Sequence, residues 1–188
     1  MTNDLKMREL LENIANGNGT PVEKFLLKKF GEKEGIRLIK LISGSEIKYE
    51  SYKVKFLKAS KDNCKEYPYY IQLTDLKDNE LGIVNYNIFS EDPRYIRMAF
   101  KENHVKDDMN TTLNTMLQFM DEIAMKIEAK VIDVPYPIKN EIATYRQHKY
   151  EPFTDHPTDK SDYIYNKYDI KHCKTNCLGL FDVEAENI

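Results

Sequence analysis

Apolar and polar positions change period several times along this chain, and each change marks an element. Met109, Leu113, Met116, Leu117, Met120, Ile123, Ala124 and Ile127 recur at helical steps of four, three and one. This is the cleanest amphipathic stripe in the sequence, and Asp107 or Asp108 is placed to cap it. Before it, residues 95–102 alternate, with Ile96, Met98 and Phe100 on one face and Arg97 and Lys101 on the other. After it, Val131, Ile132 and Val134 read as a short buried strand stopped by Pro135 and Pro137. Strand, crossover helix and strand make one βαβ-type unit, and a short helix over 139–147 follows it.

Upstream, Leu5, Leu10, Leu11 and Ile14 place a short helix over residues 4–16, which the run Asn16-Gly17-Asn18-Gly19 stops. Thr20, Pro21 and Glu23 then form a capping box with proline at the first helical position. The helical pattern runs on to Ile42. Gly31 and Gly35 weaken it and leave open whether it is one helix or two. From Glu46 to Lys58 the period becomes that of a strand. Residues 69–76 and 81–89 read as two more strands around the polar turn Lys77-Asp78-Asn79-Glu80, an antiparallel hairpin. Residues 161–170 read as a last, tyrosine-rich strand, and the acidic tail DVEAENI follows.

These elements predict an α+β (α/β-like) protein with a mixed, mostly antiparallel sheet and packed helices. The expected divisions are an N-terminal helical segment over 1–44, a main domain over 45–172 and a tail over 173–188. Composition narrows the function classes. With 28 Lys+Arg against 31 Asp+Glu the net charge is −3, which gives no overall drive toward nucleic acid or an anionic membrane. The basic residues of 21–43, among them Lys24, Lys28, Lys29, Lys33, Arg37 and Lys40, are interrupted by Glu23, Glu32 and Glu34. They read as a solvated face, with nucleic-acid association as the sharper alternative. No apolar run reaches membrane-spanning length and the first residues lack a secretory signal, so a cytoplasmic location is expected.

Three cysteines, Cys64, Cys173 and Cys177, do not suggest a disulfide framework. His172, Cys173 and Cys177 lie close together, but their spacing offers no fourth ligand, so no metal is expected. His148 and His156 flank Tyr150 and are expected to be solvated.

The order hairpin, strand, helix, strand, helix, strand from Tyr69 to Ile170 resembles the GNAT acyltransferase superfamily. So does the phrase Asn140-Glu-Ile-Ala-Thr-Tyr145-Arg-Gln-His-Lys149-Tyr150-Glu-Pro-Phe153, in which Lys149 stands at the family's usual Gly and Tyr150 at its usual Phe. The resemblance implies that the strand ending near Phe100 splays from the next one and that acetyl-CoA or another acyl-CoA lies in the opening. It implies a pyrophosphate at the N-terminus of the long helix, near Lys106, Asn110, Thr111 and Thr112, with Phe100 and Asn140 beside the cofactor. It makes Tyr145 the acid that protonates the leaving thiolate, and Glu102 or His104 the base that takes the amine proton.

The stretch from Asn103 to Thr112 contains no glycine, whereas the family's pyrophosphate loop is glycine-rich. That motivates a second expectation: a non-catalytic binding protein of the same fold, phage or mobile-element encoded, acting through a protein partner. The acceptor, the oligomeric state and the biological process are not encoded in any motif of this chain.

Overall fold

The computed structural model describes residues 3–59, 66–90, 95–100, 109–135, 137–138, 141–152 and 165–167. Helix α1 (Asn3–Asn13) ends in a π-helical turn over Ile14–Asn18, with Gly17 at φ 88°. Helix α2 (Pro21–Gly44) follows. The strands are β1 (Ser45–Lys48), β2 (Tyr52–Lys58), β3 (Tyr69–Asp75), β4 (Glu80–Phe89) and β5 (Tyr95–Phe100). Helix α3 (Met109–Lys126), β6 (Val131–Val134), α4 (Ile142–Gln147), β7 (Glu151–Pro152) and β8 (Tyr165–Lys167) complete the order.

The strands form one sheet in the order β1-β2-β3-β4-β5-β6-β8-β7. Strands β1 to β5 make an antiparallel meander, and β5–β6 is the parallel pair among the described strands. The mixed, mostly antiparallel sheet with packed helices is therefore present as expected.

Alternation decides which face is covered. Phe56, Tyr69, Tyr86 and Phe100 lie on one face of the sheet, and all are buried. Each meets a helix or its cap. The Phe56 ring packs edge-on against Phe119 of α3, with centroids 5.8 Å apart. Tyr69 shares a 3.2 Å hydrogen bond with the hydroxyl of Thr20, the N-cap of α2. Tyr86 donates its hydroxyl to the Ile42 carbonyl of α2 at 3.4 Å. Phe100 packs against Tyr145 of α4. Helices α2, α3 and α4 thus share one face. Helix α3 lies so deep that Asp121 and Glu122 are buried along with its apolar stripe.

The capping box of α2 is in place. Glu23 N–H donates to Thr20 Oγ1 at 3.2 Å, and Thr20 N–H donates to Glu23 Oε2 at 2.7 Å. Glu23 is buried, and its second oxygen accepts from Lys58 at 2.6 Å, so the cap also ties α2 to β2. The two glycines of α2 have different duties. Gly31 takes φ 78° and breaks the helix into two arms. At Gly35 an added Cβ would lie 2.8 Å from Leu27 Cα, so the second arm folds back against the first there.

Two expectations are corrected. Residues 46–58 are not one strand. The chain reverses at Glu50-Ser51, closed by Tyr49 N–H donating to the Tyr52 carbonyl at 2.8 Å, and the stacked rings of Tyr49 and Tyr52 brace the turn. His148 is not solvated; it is 4% exposed. The long 161–170 strand is described only as β8. Helix α4 begins at Ile142, while residues 139 and 140 lie outside the described residues.

Candidate active site

Strands β5 and β6 run side by side for three residue pairs: Tyr95 with Val131, Ile96 with Ile132 and Arg97 with Asp133. The last pair is fastened across the strands by Arg97 Nε donating to Asp133 Oδ2 at 2.6 Å. The Arg97 guanidinium also lies 5.8 Å from the ring centres of Phe89 and Tyr95. Among the described residues the ladder goes no further than that clasp. Met98, Ala99 and Phe100 pair with β4 there, and Val134 pairs with β8. Alternate residues of a strand direct N–H and C=O to each side, so the end of β5 faces a gap in the ladder of the described strands. The crossover places the N-terminus of α3 at this same end, because α3 must run antiparallel to two parallel strands.

Tyr145 spans the gap. Its ring meets Phe100 edge-on at 6.3 Å, and its hydroxyl accepts a long hydrogen bond, 3.5 Å, from Ile138 N–H in the chain leaving β6. The side chain is fully buried. Burial pushes its hydroxyl well above the ordinary tyrosine range, and the Ile138 amide offsets part of that rise. A phenol so placed holds its proton firmly in the absence of a ligand.

Tyr145 is held by the end of α4. Tyr150 N–H donates to the Tyr145 carbonyl at 3.0 Å and Lys149 N–H to the Arg146 carbonyl at 2.9 Å. Lys149, between them, has φ 66°. These are the two bonds and the left-handed residue of a Schellman motif. Its customary apolar contact is the Tyr145–Tyr150 ring pair, 5.9 Å apart. Lys149 stands where the sequence phrase calls for glycine, and it adopts a backbone conformation that glycine favours.

A buried polar cluster lies behind this turn. His148, the C-cap of α4, pairs through Nε2 with Asn114 Oδ1 of α3, and its Nδ1 lies 3.6 Å from Asp121 Oδ2. Asp121 is 1% exposed. The sequence reading passed over Asn114 and Asp121. The signal for them was their seven-residue separation, which places two polar groups on one face of the helix.

The predicted site residues divide. Phe100 and Tyr145 come together across the opening. Thr111 is exposed in the first turn of α3 and its carbonyl accepts from Thr115, while Thr112 is buried at 6%. Asn110 lies in that first turn. Glu102, His104, Lys106 and Asn140 fall outside the described residues, as do His156, His172, Cys173 and Cys177. Among the described residues no group of His, Cys, Asp and Glu could hold a metal ion, and no helix is long and apolar enough to cross a membrane.

No protein-family profile matches the chain, and no curated protein matches it. Among solved structures it is similar to the N-terminal domain of a ribosomal-protein-alanine acetyltransferase from Clostridium acetobutylicum. That likeness has 10% identity and a TM-score of 0.44, covering 66% of this chain and 96% of that one. It is also similar to a structure from Sphaerobacter thermophilus whose description is "putative acetyltransferase", at 10% identity and TM-score 0.45, covering 69% and 99%. A third likeness is to the N-acetyltransferase PseH of Campylobacter jejuni in complex with acetyl coenzyme A, at 12% identity and TM-score 0.37, covering 81% and 94%. At these identities and scores no residue role transfers from them to this chain.

Proposed function

We propose that this protein binds an acyl-CoA in the opening between β5 and β6 and transfers the acyl group to an amine. The observation that carries the reading is the ladder that ends at the Arg97–Asp133 clasp, leaving Met98, Ala99 and Phe100 without a strand on that side among the described residues. Their backbone groups suit the amides of an extended ligand chain, and the first turn of α3 with Asn110 and Thr111 suits a phosphate at the same end. In the reaction the amine nitrogen attacks the thioester carbonyl, forming the C–N bond. The amine proton passes to Glu102 or His104, which follow β5 in sequence. The C–S bond then breaks, and the thiolate takes a proton from Tyr145.

The burial of Tyr145 favours a second reading, in which the same opening binds a ligand or a protein partner without catalysis. Titration calorimetry with acetyl-CoA, joined to thiol release from acetyl-CoA over a panel of polyamines and peptides, separates the two. Heat together with thiol release supports transfer, and Tyr145→Phe then lowers the turnover by about 10²-fold or more while retaining binding. Heat without release selects the second reading. No heat at high micromolar ligand overturns the first.

A further inference from the structure

His148 is a buried imidazole whose two nitrogens face two polar side chains of α3. Nε2 meets the side-chain amide of Asn114, which offers an acceptor and, turned over, a donor, and so satisfies Nε2 in either tautomer. Nδ1 lies 3.6 Å from Asp121 Oδ2 and makes no hydrogen bond among the described residues. That separation exceeds a hydrogen bond but lies within ion-pair range. With the ring hydrogen on Nε2 alone, Nδ1 would present a lone pair to a carboxylate in a site where the two side chains are 4% and 1% exposed. Two acceptors facing each other in a low-dielectric interior repel, whereas an N–H there attracts. Glu122, the next residue, acts on Tyr49 and Tyr52 instead, so Asp121 is the acidic group of α3 that faces the ring.

We infer that His148, with its Nδ1–H turned to Asp121 and its Nε2 to Asn114, is a clamp that fastens the end of α4 to α3 and thereby sets Tyr145 against Phe100. His148 is the C-cap of α4, three residues from Tyr145 and two from Tyr150. Its N–H also donates to the Thr144 carbonyl at 3.3 Å, so the ring and the Schellman turn move as one body. The polar pair on α3 fixes that body along α3, which apolar contact between Tyr145, Tyr150 and Phe100 would leave free to slide. His148 is a positioning residue. The inference deepens the reading of the opening as a ligand site, but the clamp itself does not depend on what binds there.

Long-range proton–nitrogen correlation spectra of the ¹⁵N-labelled full chain at neutral pH read the ring directly. An N–H-type Nδ1 is expected on His148; a lone-pair-type Nδ1 overturns the inference. In Asp121→Asn the carboxylate that holds this hydrogen is gone, so the Nδ1 signal is expected to shift. An unchanged ring in that variant overturns the partnership. In His148→Leu the close Phe100–Tyr145 ring contact, read as a nuclear Overhauser effect, is expected to be lost. Its survival in a folded variant overturns the positioning role, and should that variant not fold, the ring of Asp121→Asn still decides. Absence of acetyl-CoA binding by the unaltered protein would overturn the proposed function and leave the His148 nitrogens as they are.

Discussion

Lys149→Gly isolates one backbone conformation at the candidate site. Lys149 has φ 66° and an exposed side chain, and the bonds around it are made by backbone alone. A residue with a Cβ in the left-handed region is strained by about 1–2 kcal/mol, which glycine relieves. Glycine also widens the unfolded ensemble, which costs about 0.4–1 kcal/mol. The net expectation is a gain of about 1 kcal/mol. For a chain of this size that raises the midpoint by about 2–4 °C. Thermal melts and urea titrations of the wild type, Lys149→Gly and Lys149→Ala measure it. Alanine keeps the Cβ and loses the ammonium, so its midpoint should stay close to the wild type. The urea slope should be the same in all three, because the surface exposed on unfolding is unchanged. Glycine no more stable than alanine would refute the reasoning, since the gain would then come from removing the charge.

Glu128 ends α3 in the same way, at φ 56°, with Ala129 N–H bonded to the Ala124 carbonyl at 2.8 Å. It also pairs with Lys29 at 2.5 Å, so Glu128→Gly should gain less than Lys149→Gly in the same melts, the exposed ion pair offsetting up to about 1 kcal/mol. Gly35→Ala should destabilise by about 1–3 kcal/mol or more, because its Cβ meets the backbone of Leu26 and Leu27 rather than a movable side chain; a midpoint within one degree of wild type would contradict the fold-back at Gly31. The Arg37 guanidinium and then Lys126 hold Glu34 down to about 2 from its ordinary 4.5. A depressed carboxylate contributes stability above its unfolded pKa, and that contribution is lost as pH falls from about 4.5 to about 2. Glu34→Gln should flatten midpoint against pH across that window and leave the slope above it unchanged.

What could be read from sequence was what neighbours in sequence decide. The Thr20–Glu23 capping box is a four-residue motif, and it formed. The α3 stripe is set by helical period, and the β3–β4 turn by Asp75, whose carboxylate accepts from the Lys77 and Asn79 backbone N–H groups and from the Asn79 side-chain amide. The Glu50-Ser51 reversal was invisible because it holds no Gly, Pro, Asn or Asp and Ser is the weakest of the common turn residues; Tyr49 and Tyr52 brace it by stacking. Gly35 reads as a weak helix residue, and only the fold-back at Gly31 shows that it is a contact point. His148 looked like a loop histidine because its partners lie 27 and 34 residues away on another helix. The parting of β5 and β6 was implied by the family resemblance alone, since hydrophobic period says nothing about where a ladder ends.

The seam between β5 and β6 also has a place in time. Strands β1 to β5 pair with their sequence neighbours, so each hairpin closes over a short loop. The Arg97–Asp133 contact closes over 36 residues, and it waits on α3 to form and dock. Folding should therefore complete the meander first and this seam late. By the same reasoning its few backbone bonds form a small cooperative unit that opens at lower free energy than the centre of the sheet. Hydrogen exchange at β6 should outpace that at β3. The protein then carries its candidate ligand site on the part of the sheet that is last to close and first to loosen, so occupancy there would be felt as slower exchange at β6 before it was felt anywhere else.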